Sequence, residues 1–155
     1  MALDYLPILA QNAAPRPPRK LYRAPRIGWQ PLARPLNEMR VSLVTSAAIR
    51  QTNQRAFTAG GDPSHRRIAA DPDVAVTVDH HSPVGADVRR DAEVVFPRRT
   101  LQELARTGVI GSVARTHFSI YGGISDHAAI TEELAPELAR RLTAMRVDLA
   151  LMVPY

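Results

Sequence analysis

The segment "VDLALMVPY", residues 147–155, constrains the fold more than any other stretch of this sequence. Between Leu149 and Tyr155 every residue except Pro154 is apolar, which is typical of a strand buried on both faces of a parallel sheet. In α/β folds, ligands and catalytic groups collect at the carboxyl ends of such strands. The segment therefore predicts a functional site close to Pro154 and Tyr155.

Further strand signals occur along the chain. Runs that are rich in β-branched residues, or that alternate between polar and apolar residues, predict strands at 41–45, 73–78, 115–123 and 147–153. Residues 46–72 are rich in turn formers and are predicted to form a long loop. Because helices are predicted between several strands, the order favours an α/β fold with a largely parallel sheet flanked by helices, similar to half of a Rossmann fold.

Two helices are predicted between the strands. Thr100 and Glu103 have the spacing of a capping box, which predicts a helix that begins at Thr100. A second helix is predicted over residues 126–145, where leucines recur on one face. Pro136 interrupts this pattern, so it either kinks the helix or marks one that begins near Thr131.

Residues 1–38 differ in composition from the rest of the chain. Seven prolines occur between residues 7 and 35, which predicts an extended proline- and arginine-rich arm ahead of an α/β domain at 39–155. The first 35 residues hold six basic residues and one acidic residue, so they carry the whole net charge of +5. Because the domain itself is neutral, a nucleic-acid partner is not expected.

Composition also limits location and chemistry. The sequence has no apolar run near the roughly 20 residues that a membrane-spanning helix needs, and its first apolar stretch contains Pro7 and follows Asp4, unlike a signal peptide. We therefore expect a cytoplasmic protein without membrane contact. There is no cysteine, which excludes disulfides, thiolate metal ligands and a cysteine nucleophile within these 155 residues.

Histidines are the titratable candidates for a functional site. His80 and His81 follow a predicted strand, and His117 and Ser119 share one face of another because side chains alternate along a strand. A polar loop also explains the first pair, no acid completes a catalytic triad with the second pair, and no third ligand has the spacing of a metal site. The residues alone support an α/β domain with a site around the three histidines.

Three motifs occur in a characteristic order. They are "GDPSHRRI" at 61–68, "DAEVVFPRRTLQEL" at 91–104 and "GVIGSVARTHFSIYGGISD" at 108–126. Together they resemble the selenoprotein B family, which comprises glycine, sarcosine, betaine and D-proline reductases. The resemblance covers residues 39–155, and it corresponds to an amino-terminal portion that ends just before the cysteine or selenocysteine motif of the family.

The resemblance implies reductive cleavage of a carbon–nitrogen bond, or another carbon–heteroatom bond, in a small amino-acid-like substrate. In this family a thiolate or selenolate attacks the substrate α-carbon, and a pyruvoyl group on a partner subunit can hold the substrate amine. The nucleophile would come directly after Tyr155, so no catalytic residue, cofactor or metal is expected within the chain itself. The expected substrate-binding residues are His80, His81, His117, Ser119 and Arg66, the last as a clamp for a carboxylate.

The position of Tyr155 suggests two hypotheses about the missing nucleophile. In the first, a UGA codon for selenocysteine follows Tyr155 and has been read as a stop. In the second, the chain is a natural split or a processed product, and a second subunit or C-terminal half completes the sheet in an oligomer. The alternative to a reductase is a non-enzymatic interaction subunit that binds a partner chain through its arm and its terminal strand.

Overall fold

A computed structural model of the chain describes residues 30–59, 61–80 and 85–155. The strands are β1 (Arg40–Thr45), β2 (Ile49–Gln51), β3 (His65–Ala69), β4 (Val76–Val78), β5 (Ser112–Val113), β6 (Thr116–Ile120) and β7 (Leu149–Val153). The helices are α1 (Gly85–Arg90), α2 (Arg98–Arg106) and α3 (Ala135–Ala144). Two 3-10 turns occur at Leu36–Glu38 and Ala92–Val94, and a π-helical segment at Ala129–Leu134 leads into α3.

The main sheet is built around β1. This strand pairs in parallel with β7 along one edge, from Val41 opposite Leu149 to Thr45 opposite Val153. Its other edge pairs in parallel first with β5 and then with β6, and β3 adds to β6 in the antiparallel direction. The predicted α/β fold with a largely parallel sheet flanked by helices is therefore confirmed.

Both faces of the sheet are covered at β1, which explains why this strand is so apolar. Val41 and Leu43 pack into one hydrophobic core together with Phe96 and Leu101, while Val44 faces a second core that contains Phe118, Leu134 and Leu138. Burying one such large side chain stabilises the fold by about 1.5–3 kcal/mol. The alternation along β1 thus ties one helical layer to each face of the sheet.

The predicted long loop at 46–72 is wrong in part, because it contains β2 and β3. The first of these pairs with β4 as a separate antiparallel two-stranded sheet, so the strand predicted at 73–78 does not join the main sheet. The second pairs with β6, some fifty residues further along the chain. Short strands of this kind are stabilised by distant partners, and a local pattern gives little sign of them.

The predicted capping box at Thr100 is also wrong. The α2 helix begins at Arg98, and its N-cap residue, Pro97, makes no side-chain capping bond. The carboxylate of Glu93, on the preceding 3-10 turn, accepts the N–H groups of Arg98 at 3.0 Å and Arg99 at 2.9 Å. A carboxylate from outside the helix therefore satisfies the first amide donors, which the sequence spacing had assigned to Thr100.

Pro136 marks a change in the second predicted helix. It lies in the first turn of α3, where its missing N–H is tolerated, and the residues before it form the π-helical segment. A proline further inside a regular helix would remove one hydrogen bond and crowd the preceding turn. The wider π-helical turn accommodates Pro136 without ending the helix.

Arg98 is a buried charge that fixes the connection between β3 and β4. Its side chain is 4% exposed, and burial lowers the pKa of its guanidinium. The guanidinium donates to four main-chain carbonyl groups, those of Ala69, Asp71, Pro72 and Val74, at 2.7–3.3 Å. These four hydrogen bonds offset much of the cost of burying the charge.

The prediction that the terminal strand is buried on both faces is wrong. Leu151 is 42% exposed and Met152 is 62% exposed. Within the described part of the chain, β7 pairs with β1 alone, so its outer edge has no strand beside it.

No helix among the described residues is both long enough and apolar enough to cross a membrane. The predicted arm falls largely on residues 1–29, which lie outside the described residues, as does His81.

Candidate functional site

The carboxyl ends of β1, β6 and β7 meet at one edge of the sheet. Ser46 directly follows β1, Tyr121 and Gly122 follow β6, and Tyr155 comes two residues after the end of β7. His80, which follows β4, also reaches this place. This is the edge where parallel α/β sheets bind ligands.

Ser46 holds the main chain of Tyr155 at two points. Its hydroxyl oxygen accepts the N–H of Tyr155 at 2.8 Å and donates to the main-chain oxygen of the same residue at 3.3 Å. The N–H of Ser46 also donates to the carbonyl of Val153 at 3.2 Å. The last regular pair of β1 and β7 is Thr45 opposite Val153. Beyond it, the hydroxyl of Ser46 continues the contact between the two strands as far as Tyr155.

The imidazole of His80 lies between two tyrosine rings. It stacks on Tyr121 with a centroid distance of 5.4 Å and an interplanar angle of 25°. It meets the ring of Tyr155 edge-on, with a centroid distance of 5.1 Å and an angle of 74°. The buried hydroxyl of Tyr155 has no hydrogen-bond partner within residues 30–59, 61–80 and 85–155. The aromatic contacts fix the plane of the His80 ring.

Asp79 fixes the backbone that carries His80. Its carboxylate accepts Nε of Arg50 at 2.9 Å and the N–H of Phe57 at 2.9 Å. Its own N–H donates to the carbonyl of Ala48 at 3.0 Å. The residue before His80 is thus tied to the chain that follows β1 and to the segment ahead of β3.

Gly122 is required at this edge by close packing. A Cβ atom at this position would lie 3.0 Å from the main-chain oxygen of Ser46, 3.1 Å from Nε2 of His80 and 3.2 Å from the main-chain oxygen of Tyr155. All three distances are shorter than ordinary van der Waals contacts. The three strand ends can therefore approach one another only because residue 122 lacks a side chain.

His117 is buried within the sheet rather than at its edge. Its exposure is 0%, and its Nδ1 accepts the N–H of Leu43 at 3.1 Å, with Oγ of Ser42 at 3.3 Å. Because Nδ1 is an acceptor, the neutral ring carries its proton on Nε2. Burial lowers the pKa of His117 to about 4, and the positive charge of Arg98 adds to this effect. Its Nε2 has no hydrogen-bond partner among the described residues.

Ser119 shares the face of β6 with His117, as the alternation predicted, but it is equally buried. Its hydroxyl oxygen accepts the N–H of Ile49 at 2.7 Å, which connects β6 to the start of β2. The geometry therefore gives Ser119 and His117 structural partners. Substrate binding by either residue stays a prediction.

Arg66 is held by its own loop. Its guanidinium lies 4.1 Å from the ring centroid of Phe57. An arginine has five N–H donors, and five acceptors surround this one at 2.6–3.5 Å. The acceptors belong to Arg55, Ala56, Asp62, Ser64 and His65. The predicted carboxylate clamp would have to replace some of these contacts, and it stays a prediction.

Of the four predicted site residues that the structure describes, only His80 is found at the carboxyl edge of the sheet. His117 and Ser119 lie inside the fold, and Arg66 lies in the cleft of about 780 Å³ formed by the loop ahead of β3. No group of three histidine, aspartate or glutamate side chains within the described residues is arranged to hold a metal ion.

Sequence reasoning missed Ser46, Tyr121 and Gly122. The signals available were a serine directly after a strand and the glycine pair at 122–123.

An apolar cavity of about 370 Å³ opens beside the site, and Val44, Ile120 and Met152 contribute to its lining.

A comparison with curated proteins decides the family. The D-proline reductase subunit gamma of Acetoanaerobium sticklandii is 34% identical to this chain over 125 residues, which is 80% of the chain and 52% of the relative. This chain belongs to the selenoprotein B and D-proline reductase family. The resemblance inferred from the three motifs is thereby confirmed.

The family match covers only part of the relative. The chain spans about half the length of the D-proline reductase subunit that it matches. No protein-family model matches the chain, and no solved structure matches it.

Proposed function

We propose that this chain is the amino-terminal portion of a reductase subunit of the D-proline reductase type, which cleaves a carbon–nitrogen bond of a small amino acid. The observation that supports this most is the geometry at Tyr155. β7 ends beside β1, Ser46 and His80 hold Tyr155, and a residue after Tyr155 would emerge next to His80. D-proline is the first substrate to test, because it is the substrate named for the relative.

The nucleophile in this proposal is a thiolate or selenolate from outside residues 1–155, directly after Tyr155. Its electron pair forms a bond to the substrate α-carbon, and the carbon–nitrogen pair leaves with the nitrogen, which takes up a proton. A nearby thiolate then attacks the sulfur or selenium, and the α-carbon leaves with its electron pair and takes up a proton. The resulting disulfide or selenenyl sulfide is reduced by an external dithiol, which supplies the two electrons.

The residues of this chain shape the place where that nucleophile acts. We propose that His80 lines the substrate site, because it is the titratable side chain held at the converging strand ends. His81, which lies outside the described residues, stays a predicted substrate-binding residue. A pyruvoyl group would belong to a partner subunit, so no residue of this chain would hold it. Its presence stays a prediction that a carbonyl-specific reagent applied to the purified assembly would test.

The outer edge of β7 is proposed as the contact with the remaining part of the reductase. β7 contains no charged residue and no proline, and Leu151 and Met152 are exposed on it. Soluble proteins normally protect such an edge with charges, bulges or a covering element. A second subunit or C-terminal half would provide that cover.

We also propose a cytoplasmic location, because the thiol chemistry of this mechanism requires a reducing compartment.

The second candidate function is a non-enzymatic interaction subunit. Two observations favour it: His117 and Ser119 have structural partners, and the exposed edge of β7 could bind a partner without any chemistry. A variant at His80 separates the two functions, because binding to the partner would survive the substitution in both cases while turnover would be lost only in a reductase.

The test uses the protein translated from the complete reading frame, with the codon after Tyr155 decoded as selenocysteine where it is UGA. This protein is assembled with its partner subunits. The dithiol-dependent consumption of D-proline, glycine, sarcosine and betaine by the assembly is then measured. We expect turnover of D-proline, a loss of at least about tenfold in His80→Gln, and no change in the exposed control His127→Gln. Turnover by purified residues 1–155 alone would overturn the proposal, because this chain contains no cysteine or selenocysteine.

A further inference from the structure

We propose that Ser46 is the positioning residue for the nucleophile, a role that rests on the proposed function. Ser46 is the only residue between the end of β1 and the bridge at Ala47, and it contacts Tyr155 across a separation of 109 residues. Its hydroxyl binds both the N–H and the main-chain oxygen of Tyr155. A side chain that holds both groups fixes the direction in which the next residue leaves the strand.

The surroundings leave Tyr155 little freedom to move. Gly122 lies so close to the main-chain oxygens of Ser46 and Tyr155 that a single methyl group would not fit without displacing them. The ring of Tyr155 packs against the first hydrophobic core and meets His80 edge-on. The main chain of Tyr155 is therefore held by Ser46 and packed against Gly122, and its ring is packed against His80 and the first core. The hydroxyl of Ser46 makes the polar contacts among these.

The contact is separable from the stability of the sheet. The N–H of Ser46 donates to Val153 through the main chain, and five residue pairs join β1 to β7. These interactions remain when the side chain of Ser46 is removed. Ser46→Ala should therefore leave β7 in place and release only the chain at Tyr155, whereas Ser46→Thr keeps the hydroxyl.

Catalysis should be sensitive to this release. A nucleophile must attack the α-carbon in line with the leaving nitrogen, and a misplacement of about 1 Å can reduce the rate by roughly a hundredfold. Substrate binding depends on other groups and should change little. The loss should therefore appear in kcat rather than in KM.

The experiment compares Ser46→Ala, Ser46→Thr and the control Ser112→Ala in the complete protein assembled with its partners. Ser112 is a half-buried serine on β5, at the opposite end of β1. Ser46→Ala should lower kcat by about ten- to a hundredfold with KM within about threefold, and amide hydrogen exchange at Tyr155 should be at least about tenfold faster. Ser46→Thr should restore both values, and Ser112→Ala should change neither.

Unchanged exchange at Tyr155 in Ser46→Ala would overturn the contact itself. Faster exchange with an unchanged kcat would overturn the positioning role while leaving the reductase assignment intact. A wild-type assembly without turnover of any of the four substrates would overturn the proposed function, and exchange at Tyr155 would then still decide whether Ser46 holds the strand end.

Discussion

Protonation of His117 should destabilise the fold at acidic pH. The ring is fully buried, its Nδ1 accepts the N–H of Leu43, and its pKa is lowered to about 4 by burial and by the charge of Arg98. An unfolded histidine has a pKa of about 6.5, so between these two values the unfolded chain binds more protons than the folded chain. Stability is therefore complete above about pH 6.5 and falls as the pH decreases towards about 4.

The expected size of this effect follows from the difference between the two pKa values. Linkage gives a loss of roughly 2 kcal/mol between about pH 7 and about pH 4.5 from His117 alone. Other groups contribute in the same direction, among them His65, whose pKa burial also lowers. A comparison with His117→Gln isolates the contribution of His117, because glutamine can accept the same N–H but does not titrate in this range.

Urea unfolding of residues 1–155 between about pH 4.5 and about pH 8 provides the measurement. His117→Gln should lose less stability on acidification than the wild type by roughly 2 kcal/mol. The exposed control His127→Gln should follow the wild type. An identical pH dependence in wild type and His117→Gln would refute the reasoning, because His117 would then not be a neutral, buried group in the folded protein.

Three further predictions follow from individual contacts. Gly122→Ala should lower the free energy of unfolding by about 1–3 kcal/mol because its methyl group overlaps two main-chain oxygens, and an unchanged urea midpoint would contradict this. Arg98→Lys should cost about 2–3 kcal/mol in the same assay, since lysine cannot reach four carbonyl groups, whereas the exposed control Arg99→Lys should cost less than about 0.5 kcal/mol. Met152→Lys should leave the stability of residues 1–155 within about 0.5 kcal/mol but weaken assembly with the remaining part of the reductase, as measured by size-exclusion chromatography; unchanged assembly would remove β7 as the contact.

The sequence predicted the elements whose residues carry a strong periodic pattern. β1, β6 and β7 were predicted correctly as strands because their apolar content or alternation is itself a reason that they form strands. The face shared by His117 and Ser119 followed from the same alternation. Their burial did not, because it depends on the helical layer that packs over that face.

Other features depend on contacts that no local pattern contains. β2 and β3 are short strands defined by partners far along the chain, and the start of α2 is set by Glu93 rather than by Thr100. Ser46 and Gly122 become recognisable only when three strand ends meet. The exposure of Leu151 and Met152 contradicts the prediction of a strand buried on both faces, because an apolar sequence does not show which faces of a strand other elements cover.

We propose above that a redox nucleophile from outside residues 1–155 directly follows Tyr155 in the functional reductase. The most direct measurement is alkylation of the active, dithiol-reduced assembly with iodoacetamide, followed by peptide mass spectrometry and an assay of D-proline turnover. We expect activity to be lost in proportion to modification of a cysteine or selenocysteine immediately following Tyr155. An active protein without such a residue, or activity lost through modification elsewhere while that residue stays unmodified, would contradict it.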